Sequence, residues 1–530
     1  MFPSQEQIEA DLVRLKGVFS GVRTYTARDG MEVVPALAEK HGFTLTHSAW
    51  LGREKADNDK EVQVLIETAN HYPQAVKRVI VGNEVLLRRD LKPDELIAYI
   101  DQVRSAIKQP VSYADVWAFW LKNPQVADHV DYITIHILPY WEDEPVSLHD
   151  AQQHMLVIIE KIKQRFPGKP ILVGETGWPT EGRSRGPAHA DLLTAAEFVR
   201  SLPHLAKQYD FDYNVVEAFD QSWKAQLEGT VGARWGLFDA SRAMKYPLTG
   251  DVVPLDDAML RAGASLLVGL LLALLLVPYA RTVRHTLLLS GWSQLFAAAL
   301  VLAIYKSIRL SVAPSSLTWF SQHLLFFVAD KHWISDADVA FWYRLLLQIW
   351  AEPFAQLWGY VLVGFSLLFA IGGVQWLRSL LAKQLSSDSV AWVRRGFALY
   401  GLGAMGFAVM FSTSGRYMDI PVALYCLPVV LAVGLWLSRR CIATIPQSAS
   451  AVFTWNIHAR LLLPAAALAC LWGEVKAMLK GEDFITMHPT LQEQLPLIAN
   501  SLLSNYQLLL WCLLCVLLAF AFQREKKIAH

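Results

Sequence analysis

Two hydrophobic patterns divide this chain. In the first half, short apolar runs alternate with stretches whose apolar residues recur at helical spacing, whereas long uninterrupted apolar runs dominate from Gly263 onward. Alternating strands and helices specify a parallel sheet covered by helices. Apolar runs of bilayer-spanning length specify membrane helices. We therefore expect an α/β domain over residues 1–253 and an all-α, multi-span membrane domain over residues 254–530.

The first half predicts about seven strands separated by helices. The predicted strands are Gly21–Thr26, Phe43–Leu51, Val76–Leu86, Pro110–Val116, Tyr132–Leu138, the run within Ile171–Thr180, and Tyr213–Phe219. The predicted helices are Pro3–Leu15, Glu32–His41, Lys60–Tyr72, Pro93–Ile107, a short one near Pro124, Ser147–Phe166 and Ala188–Leu202. A closed (β/α)8 barrel needs eight strands, so we expect strand one to lie upstream of Met1. An open doubly wound sheet is the alternative.

The second half predicts about seven membrane spans. A helix of about 18 residues is roughly 27 Å long, close to the thickness of a hydrocarbon core. The predicted spans are Gly263–Ala280, Thr286–Tyr305, Ala355–Trp376, Phe397–Phe411, Pro421–Leu437, Leu461–Trp472 and Gln507–Phe522. The sixth is short and meets Glu474, and Leu317–Val328 is predicted to be interfacial.

Charge and cysteine content limit the function classes. Lys and Arg number 48, as do Asp and Glu, so no global charge indicates a nucleic-acid partner. All five cysteines lie in the apolar half, so the first domain contains no disulfide. Cys512 and Cys515 form a CxxC pair, but inside an apolar helix they are expected to be packing residues.

Basic residues indicate the orientation in the membrane. With seven spans, the basic residues that follow spans one, three, five and seven share one side, which should be cytoplasmic. The first domain would then lie in the periplasm of a bacterial inner-membrane protein, with the C-terminus in the cytoplasm. A domain of this size needs an export signal, and none begins at Met1, so we expect the natural product to start further upstream.

Two carboxylates carry the candidate chemistry. Glu84 follows the apolar run Val79–Val81, and Glu175 follows Ile171–Val173 and precedes Gly177. Both are expected at strand ends, where an α/β barrel keeps its active site. If the carboxyl groups lie about 5–5.5 Å apart, they suit a retaining glycosidase, with Glu175 as nucleophile and Glu84 as acid/base. Asn83 is placed to bond a sugar 2-hydroxyl.

Four stretches resemble those of glycoside hydrolase family 17, which contains β-1,3-glucanases and β-1,3-glucan transglycosylases. They are GVRTYT from Gly21, VGNEV from Val81, GETGWPT from Gly174 and FDQSWK from Phe219. The resemblance covers about the first 250 residues and implies a (β/α)8 barrel with Glu84 as acid/base and Glu175 as nucleophile. Lys224 matches the family pattern, but Gln221 stands where the family has glutamate.

Aromatic residues near the strand ends are candidate sugar platforms, because a pyranose stacks on a ring. We expect Tyr140, Trp178 and Trp223 first, while His136 either faces the sugar or is a buried structural histidine. Asp336 and Asp338 resemble a DxD metal pair, but the polar stretch around them is too short for a nucleotide-binding domain. No cofactor or metal is expected.

The leading hypothesis is a membrane-anchored, retaining β-1,3-glucan transglycosylase that forms β-1,6 linkages or branches. A membrane anchor keeps the enzyme beside nascent glucan and so raises the local concentration of acceptor chains. The alternatives are a hydrolytic endo-β-1,3-glucanase, an accessory or channel subunit of a β-glucan synthase, and an inactive carbohydrate-binding module. The expected partners are β-glucan, the lipid bilayer and a glucan synthase.

Overall fold

The computed structural model describes residues 3–253, 257–310, 353–382, 387–415, 418–440 and 457–521. Its first part contains one parallel sheet whose strands follow chain order from β1 to β7. The strands are β1 Gly21–Arg23, β2 Thr44–Ala49, β3 Val76–Asn83, β4 Val111–Val116, β5 Ile133–His136, β6 Ile171–Thr176 and β7 Asp212–Val215. Each predicted strand is therefore present, and several end earlier than expected.

The sheet curls into a nearly closed barrel. Arg23 on β1 donates a 2.7 Å hydrogen bond to the carbonyl of Gly174 on β6. In a flat sheet these strands would lie about 24 Å apart, five steps of about 4.8 Å. Arg78 on β3 likewise reaches Asp212 on β7 at 2.7 Å. The doubly wound alternative is wrong, because such a sheet reverses its strand order at a switch point.

Eight helices cover the barrel. They are α1 Gln5–Leu15, α2 Val34–His41, α3 Lys55–His71, α4 Pro93–Ala106, α5 Trp117–Lys122, α6 Leu148–Arg165, α7 Leu192–Tyr209 and α8 Ala225–Gly232. The predicted N-terminal helix is confirmed, with Ser4 and Gln7 forming a capping box. Helix α7 begins later than predicted because Asp191 caps it, accepting from the Thr194 amide at 2.9 Å.

Most of the remaining described helices are long and apolar. The remaining helices are α9 Ala258–Leu276, α10 Val283–Leu310, α11 Pro353–Leu381, α12 Ser387–Ser414, α13 Val422–Arg440, α14 Ile457–Leu479, α15 Glu482–Met487, α16 Leu491–Ser504 and α17 Tyr506–Ala521. The buried side chains of α9–α14 and α17 form a second hydrophobic core, separate from that of the barrel. Cys512 and Cys515 are buried in this core, consistent with packing residues.

A described helix lies at each of the seven predicted spans. Within the described residues, four helices are long and apolar enough to cross a membrane, and the bent pair α16 and α17 makes a fifth if counted as one span. The predicted spans at Phe397–Phe411 and Pro421–Leu437 fall on α12 and α13, which are not among these. The apolar part described in α13 is only Val422–Gly434. Leu317–Val328 and the Asp336–Asp338 pair lie outside the described residues.

Candidate active site

Glu84 lies directly after β3, where the backbone leaves the sheet. Gly82 and Glu84 both have positive φ, 86° and 51°, and the amide of Glu84 still donates to the carbonyl of Ala114 on β4 at 2.8 Å. The strand therefore ends before Glu84, and the left-handed turn directs this side chain out of the ladder. Its side chain keeps 26% exposure.

Glu175 lies within β6, and its side chain is 12% exposed. The residue before it has to be glycine, because a Cβ on Gly174 would lie 2.5 Å from Thr134 and 3.0 Å from the Arg23 guanidinium. The bare backbone lets Arg23 approach, so that Arg23 Nη1 lies 3.6 Å from Glu175 Oε1. A fixed positive charge thus stands beside this carboxylate.

His136, at the end of β5, lies between the two glutamates. Its Nδ1 lies 2.9 Å from Glu84 Oε1, and its Nε2 lies 3.5 Å from Glu175 Oε1. Arg23 Nη1 is also 3.5 Å from Nε2. A guanidinium only donates, which makes Nε2 the acceptor and assigns the proton to Nδ1, facing Glu84. His136 is only 2% exposed. It is therefore the buried histidine of the two expectations, and its ring does not face a sugar.

The facing side-chain atoms of Glu84, His136 and Glu175 all lie within 4.8 Å of one another. Two carboxylates and an imidazole at such distances could ligate a metal ion. Arg23 lies within 3.6 Å of both His136 and Glu175, however, and its charge would repel a cation. The arrangement therefore suits chemistry between two carboxylates better than metal binding.

Asn83 connects the two strand ends. It is 5% exposed, and its Oδ1 accepts a 2.6 Å hydrogen bond from Arg23 Nη2. The same guanidinium contacts Gly174, so Arg23 links β1, β3 and β6 at the barrel mouth. With Oδ1 occupied, the amide Nδ2 remains as the donor group of Asn83.

The surroundings shift the pKa of Glu84 downward. Burial by itself would raise it, but the hydrogen bond and electrostatic attraction of His136 and the charges of Arg88 and Arg23 outweigh that effect. Arg88 is held in place by the carbonyls of Asn83 and Leu51 and lies over the Trp50 ring at 4.2 Å. Glu84 is thus stabilised as a carboxylate.

A second acid, Asp115 on β4, behaves in the opposite way. It is completely buried, and burial raises its pKa to about 7, with the charge of Glu84 adding to the effect. Its carboxyl group accepts from the Tyr113 hydroxyl and from the Val116 amide at 2.8 Å. Asp115 is therefore a buried group coupled to the site rather than a ligand contact.

The segment after β7 contributes a polar cluster. Lys224 Nζ lies 2.7 Å from Glu217 Oε2, which also accepts from Gln221. Burial raises the pKa of Glu217 despite the nearby Lys224 charge. Trp223 donates to Gln221 Oε1 at 3.0 Å and is 61% exposed. Trp223 thus offers its ring to solvent, and Lys224 is engaged by a carboxylate.

Two of the predicted sugar platforms are core residues. Tyr140 is fully buried and its hydroxyl donates to the carbonyl of Arg183, while Trp178 is 1% exposed and its Nε1 donates to His189 at 2.7 Å. A ring without an accessible face cannot stack on a pyranose, so this expectation is corrected for both residues. Trp50 and Tyr25, 41% and 37% exposed at the ends of β2 and β1, are better placed.

Sequence reasoning missed Arg23, Arg88 and Asp115. Arg23 had a recognisable signal, since a charged residue inside a short barrel strand needs a partner across the barrel. Asp115 had the same signal inside β4. Arg88 follows a turn, where surface arginines are common, and its sequence position carries no such signal.

Comparisons with known proteins agree on the first part of the chain. A profile of the BtgE/BtgC glycoside hydrolase domain matches residues 1–236. The glucan 1,3-beta-glucosidase of Schizosaccharomyces pombe is 30% identical over 256 residues, 45% of this chain and 79% of that protein. The Saccharomyces cerevisiae glucan 1,3-beta-glucosidase is 26% identical over 271 residues, 47% and 86% of the two chains.

A solved structure also resembles the barrel. The glycoside hydrolase family 17 beta-1,3-glucanosyltransferase from Rhizomucor miehei is 25% identical, with a TM-score of 0.43, and covers 47% of this chain and 93% of its own. An active-site mutant of that enzyme, in complex with laminaritriose, matches with the same values.

Proposed function

Because this chain belongs to glycoside hydrolase family 17 and is therefore an enzyme of O-glycosyl bonds, we propose that it cleaves and re-forms bonds in β-1,3-glucan with Glu84 and Glu175 as its catalytic pair. One observation carries this proposal: the two carboxylates, from strands far apart in sequence, face each other within 4.8 Å across the barrel mouth. The yeast relatives are named for 1,3-β-glucan, which supports the substrate class.

The spacing favours a double displacement. Retaining enzymes have carboxyl groups about 5–5.5 Å apart, whereas inverting enzymes need roughly 6.5–9.5 Å to admit a water molecule. Glu175 attacks the anomeric carbon, and Glu84 protonates the departing oxygen. Glu84 then takes a proton from the incoming water or sugar hydroxyl, which attacks the glycosyl-enzyme and restores the original anomeric configuration.

The residues around Glu84 and Glu175 suit the two carboxylates to different roles. Arg23 supplies a positive charge beside Glu175 and holds Asn83, whose Nδ2 donates to the substrate 2-hydroxyl. The lowered pKa of Glu84 suits its role as base in the second step. When a glucan chain covers the cleft it displaces water, and the resulting desolvation raises the pKa of Glu84, which favours the acid form needed for the first step. Trp223 supplies a stacking face and Lys224 positions Glu217.

The roles of the glutamates can be separated with azide and an aryl β-laminarioside. In Glu84→Ala, azide attacks the glycosyl-enzyme and yields a β-glycosyl azide. In Glu175→Ala, azide takes the place of the nucleophile and yields the α-anomer. Glu67→Ala, an exposed carboxylate on α3, should keep wild-type turnover. The opposite pairing of anomers, or full activity in Glu175→Gln, would refute the assignment.

We further propose that the reaction is transglycosylation in an enzyme anchored in a membrane by α9 to α17, and that β-1,6 linkages or branches are formed. The apolar helices support an anchor, and an anchored enzyme meets glucan acceptors at high local concentration. Linkage analysis of products from a laminari-oligosaccharide tests this. Products longer than the donor, with 1,6 linkages, are expected, while release of shorter sugars alone identifies a hydrolase.

The proposed location is the bacterial inner membrane, with the barrel in the periplasm, the C-terminus in the cytoplasm and a glucan synthase as partner. The distribution of basic residues supports this orientation. Protease added to intact spheroplasts should digest the barrel. If removal of the residues after Pro254 leaves glucan production and its linkages intact in cells, a channel or accessory role of the helices is excluded.

A further inference from the structure

The loop between β6 and α7, residues 177–191, inserts an arginine into the helical part of the chain. Arg183 is 2% exposed, and its guanidinium donates to Glu474 on α14 and to the carbonyl of Gly415 after α12. It also lies over the Phe411 ring at 5.2 Å. A buried arginine of the catalytic domain therefore has its charge neutralised by a residue of the apolar helices.

The neighbouring loop residues contact the bend between α16 and α17. The amide of Ser184 donates to Gln507 Oε1 at 2.9 Å, and the His189 ring meets the Tyr506 ring at 5.0 Å between centroids. Gly186 lies so close to α16 that a Cβ would be 2.7 Å from Ser501 Oγ. The two helices meet at 68°, so the loop occupies the corner that this bend creates.

Glu474 is itself built into that corner. It accepts a 3.4 Å hydrogen bond from Asn505 Nδ2, and Asn505 Oδ1 accepts from the Leu508 amide at 3.2 Å in the first turn of α17. Glu474, the partner of Arg183, therefore belongs to the hydrogen-bond network at the bend between α16 and α17. Removing one member of a buried ion pair leaves the other charge uncompensated, so the pair holds the two parts together only when both are present.

The same loop is also tied to other segments of the barrel domain. The Arg183 carbonyl accepts from Tyr140, and the His189 carbonyl accepts from Trp178 Nε1 at 2.7 Å. Thr180 donates to the carbonyl of Arg234 at 2.9 Å. Trp178 lies two residues after the end of β6, so a shift of the loop is transmitted to the strand end that carries Glu175.

We propose that Arg183 and Glu474 are positioning residues through which the helical region holds the loop after Glu175 and so governs both turnover and the share of sugar transfer over hydrolysis. This inference rests on the proposed glucan-active function. Loops at the carboxyl ends of barrel strands form the active-site mouth. A loop released from its anchor misplaces Glu175 and admits water, which competes with the sugar acceptor.

The test uses the full chain in nanodiscs, with laminaripentaose as donor and acceptor. Arg183→Met and Glu474→Gln should each lower kcat by roughly 10–100-fold, with a smaller change in KM, because small misplacements of catalytic groups have effects of that size. The ratio of transfer to hydrolysis products should fall in both. The double variant should lose no more than either single variant, since the two changes break the same contact.

Arg78→Gln is the matched control. It breaks an ion pair of the same type, with Asp212 at 2.7 Å, near the amino ends of β3 and β7, the opposite end of the barrel. It should leave kcat and the product ratio unchanged. A variant pair that lowers the melting temperature but keeps the wild-type product ratio and kcat would overturn the positioning role, as would additive losses in the double variant.

Limited proteolysis of residues 177–191 provides a readout that does not need activity. Faster cleavage in both single variants is expected, and unchanged cleavage would contradict the anchoring contact. If the wild-type chain itself neither cleaves nor transfers laminaripentaose, the proposed function fails, while the proteolysis result still decides whether the loop is anchored.

Discussion

Asp115 makes the stability of this enzyme depend on pH in a direction opposite to that of most carboxylates. Its pKa in the folded protein is about 7, against about 3.9 in an unfolded chain. The sign follows from linkage. An acid whose pKa is raised by folding stabilises the folded state fully below the unfolded pKa, and this contribution is lost as the pH rises through the folded pKa.

The magnitude follows from the two pKa values. A difference of about 3 pKa units at 1.36 kcal/mol per unit is about 4 kcal/mol, lost between about pH 4 and pH 8. Solvent does not screen this carboxylate, because Asp115 is 0% exposed. Asp115→Asn cannot ionise, so its free energy of unfolding relative to the wild type should rise by about 4 kcal/mol over this range.

Thermal unfolding of the full chain in detergent, followed by tryptophan fluorescence at pH 4 to 8, measures this difference. A change of 1 kcal/mol shifts the melting temperature of a domain of 150–250 residues by about 2–4 °C, so the relative shift should be about 8–16 °C. Asp101→Asn, an exposed carboxylate on α4, is the matched control and should follow the wild type. An equal difference in melting temperature between Asp115→Asn and the wild type at pH 4 and pH 8 would refute the raised pKa of Asp115.

Three further predictions concern the site and its loops. His136→Ala removes the hydrogen bond to Glu84, so the pKa of Glu84 should rise. The alkaline limb of the pH profile of kcat/KM should then move to higher pH. An unmoved limb would contradict the role of this hydrogen bond. Trp223→Ala should raise KM for laminari-oligosaccharides roughly tenfold with kcat little changed, because it removes stacking worth about 1–1.5 kcal/mol. Equal KM values in the variant and the wild type would exclude Trp223 as a sugar-stacking residue. Gly182→Ala should destabilise the fold by about 1–3 kcal/mol, because Gly182 has φ of 132° and a Cβ would lie 2.2 Å from Val231. An unchanged urea unfolding midpoint would show that the loop accommodates the added methyl group without cost.

Local pattern was enough to identify the barrel and its two carboxylates. A short apolar run followed by glycine ends a buried strand wherever it occurs, and parallel strands place their carboxyl ends on one face. Glu84 and Glu175 could therefore be found without knowing how the sheet closes. The apolar runs of the second half are equally local signals, since bilayer thickness alone sets their length.

The same kind of reasoning could not rank the aromatic residues. Tyr140, Trp178 and Trp223 all follow strand ends, but the first two are buried and only Trp223 is exposed. Burial depends on which other segments cover a side chain. Here the later residues of loop 177–191 contact Tyr140 and Trp178, because the loop is folded back between the barrel and the helices.

The sequence by itself determined the strand and helix alternation, the family, the paired carboxylates and the apolar helices, because each depends on residues that are close together along the chain. Only the tertiary structure decided that Arg23 reaches Gly174 and Asn83, that His136 lies between the glutamates, and that Arg183 meets Glu474. The physical reason is that curling of the sheet and docking of the helices join residues far apart in sequence, and nothing in either local segment encodes the distance between them.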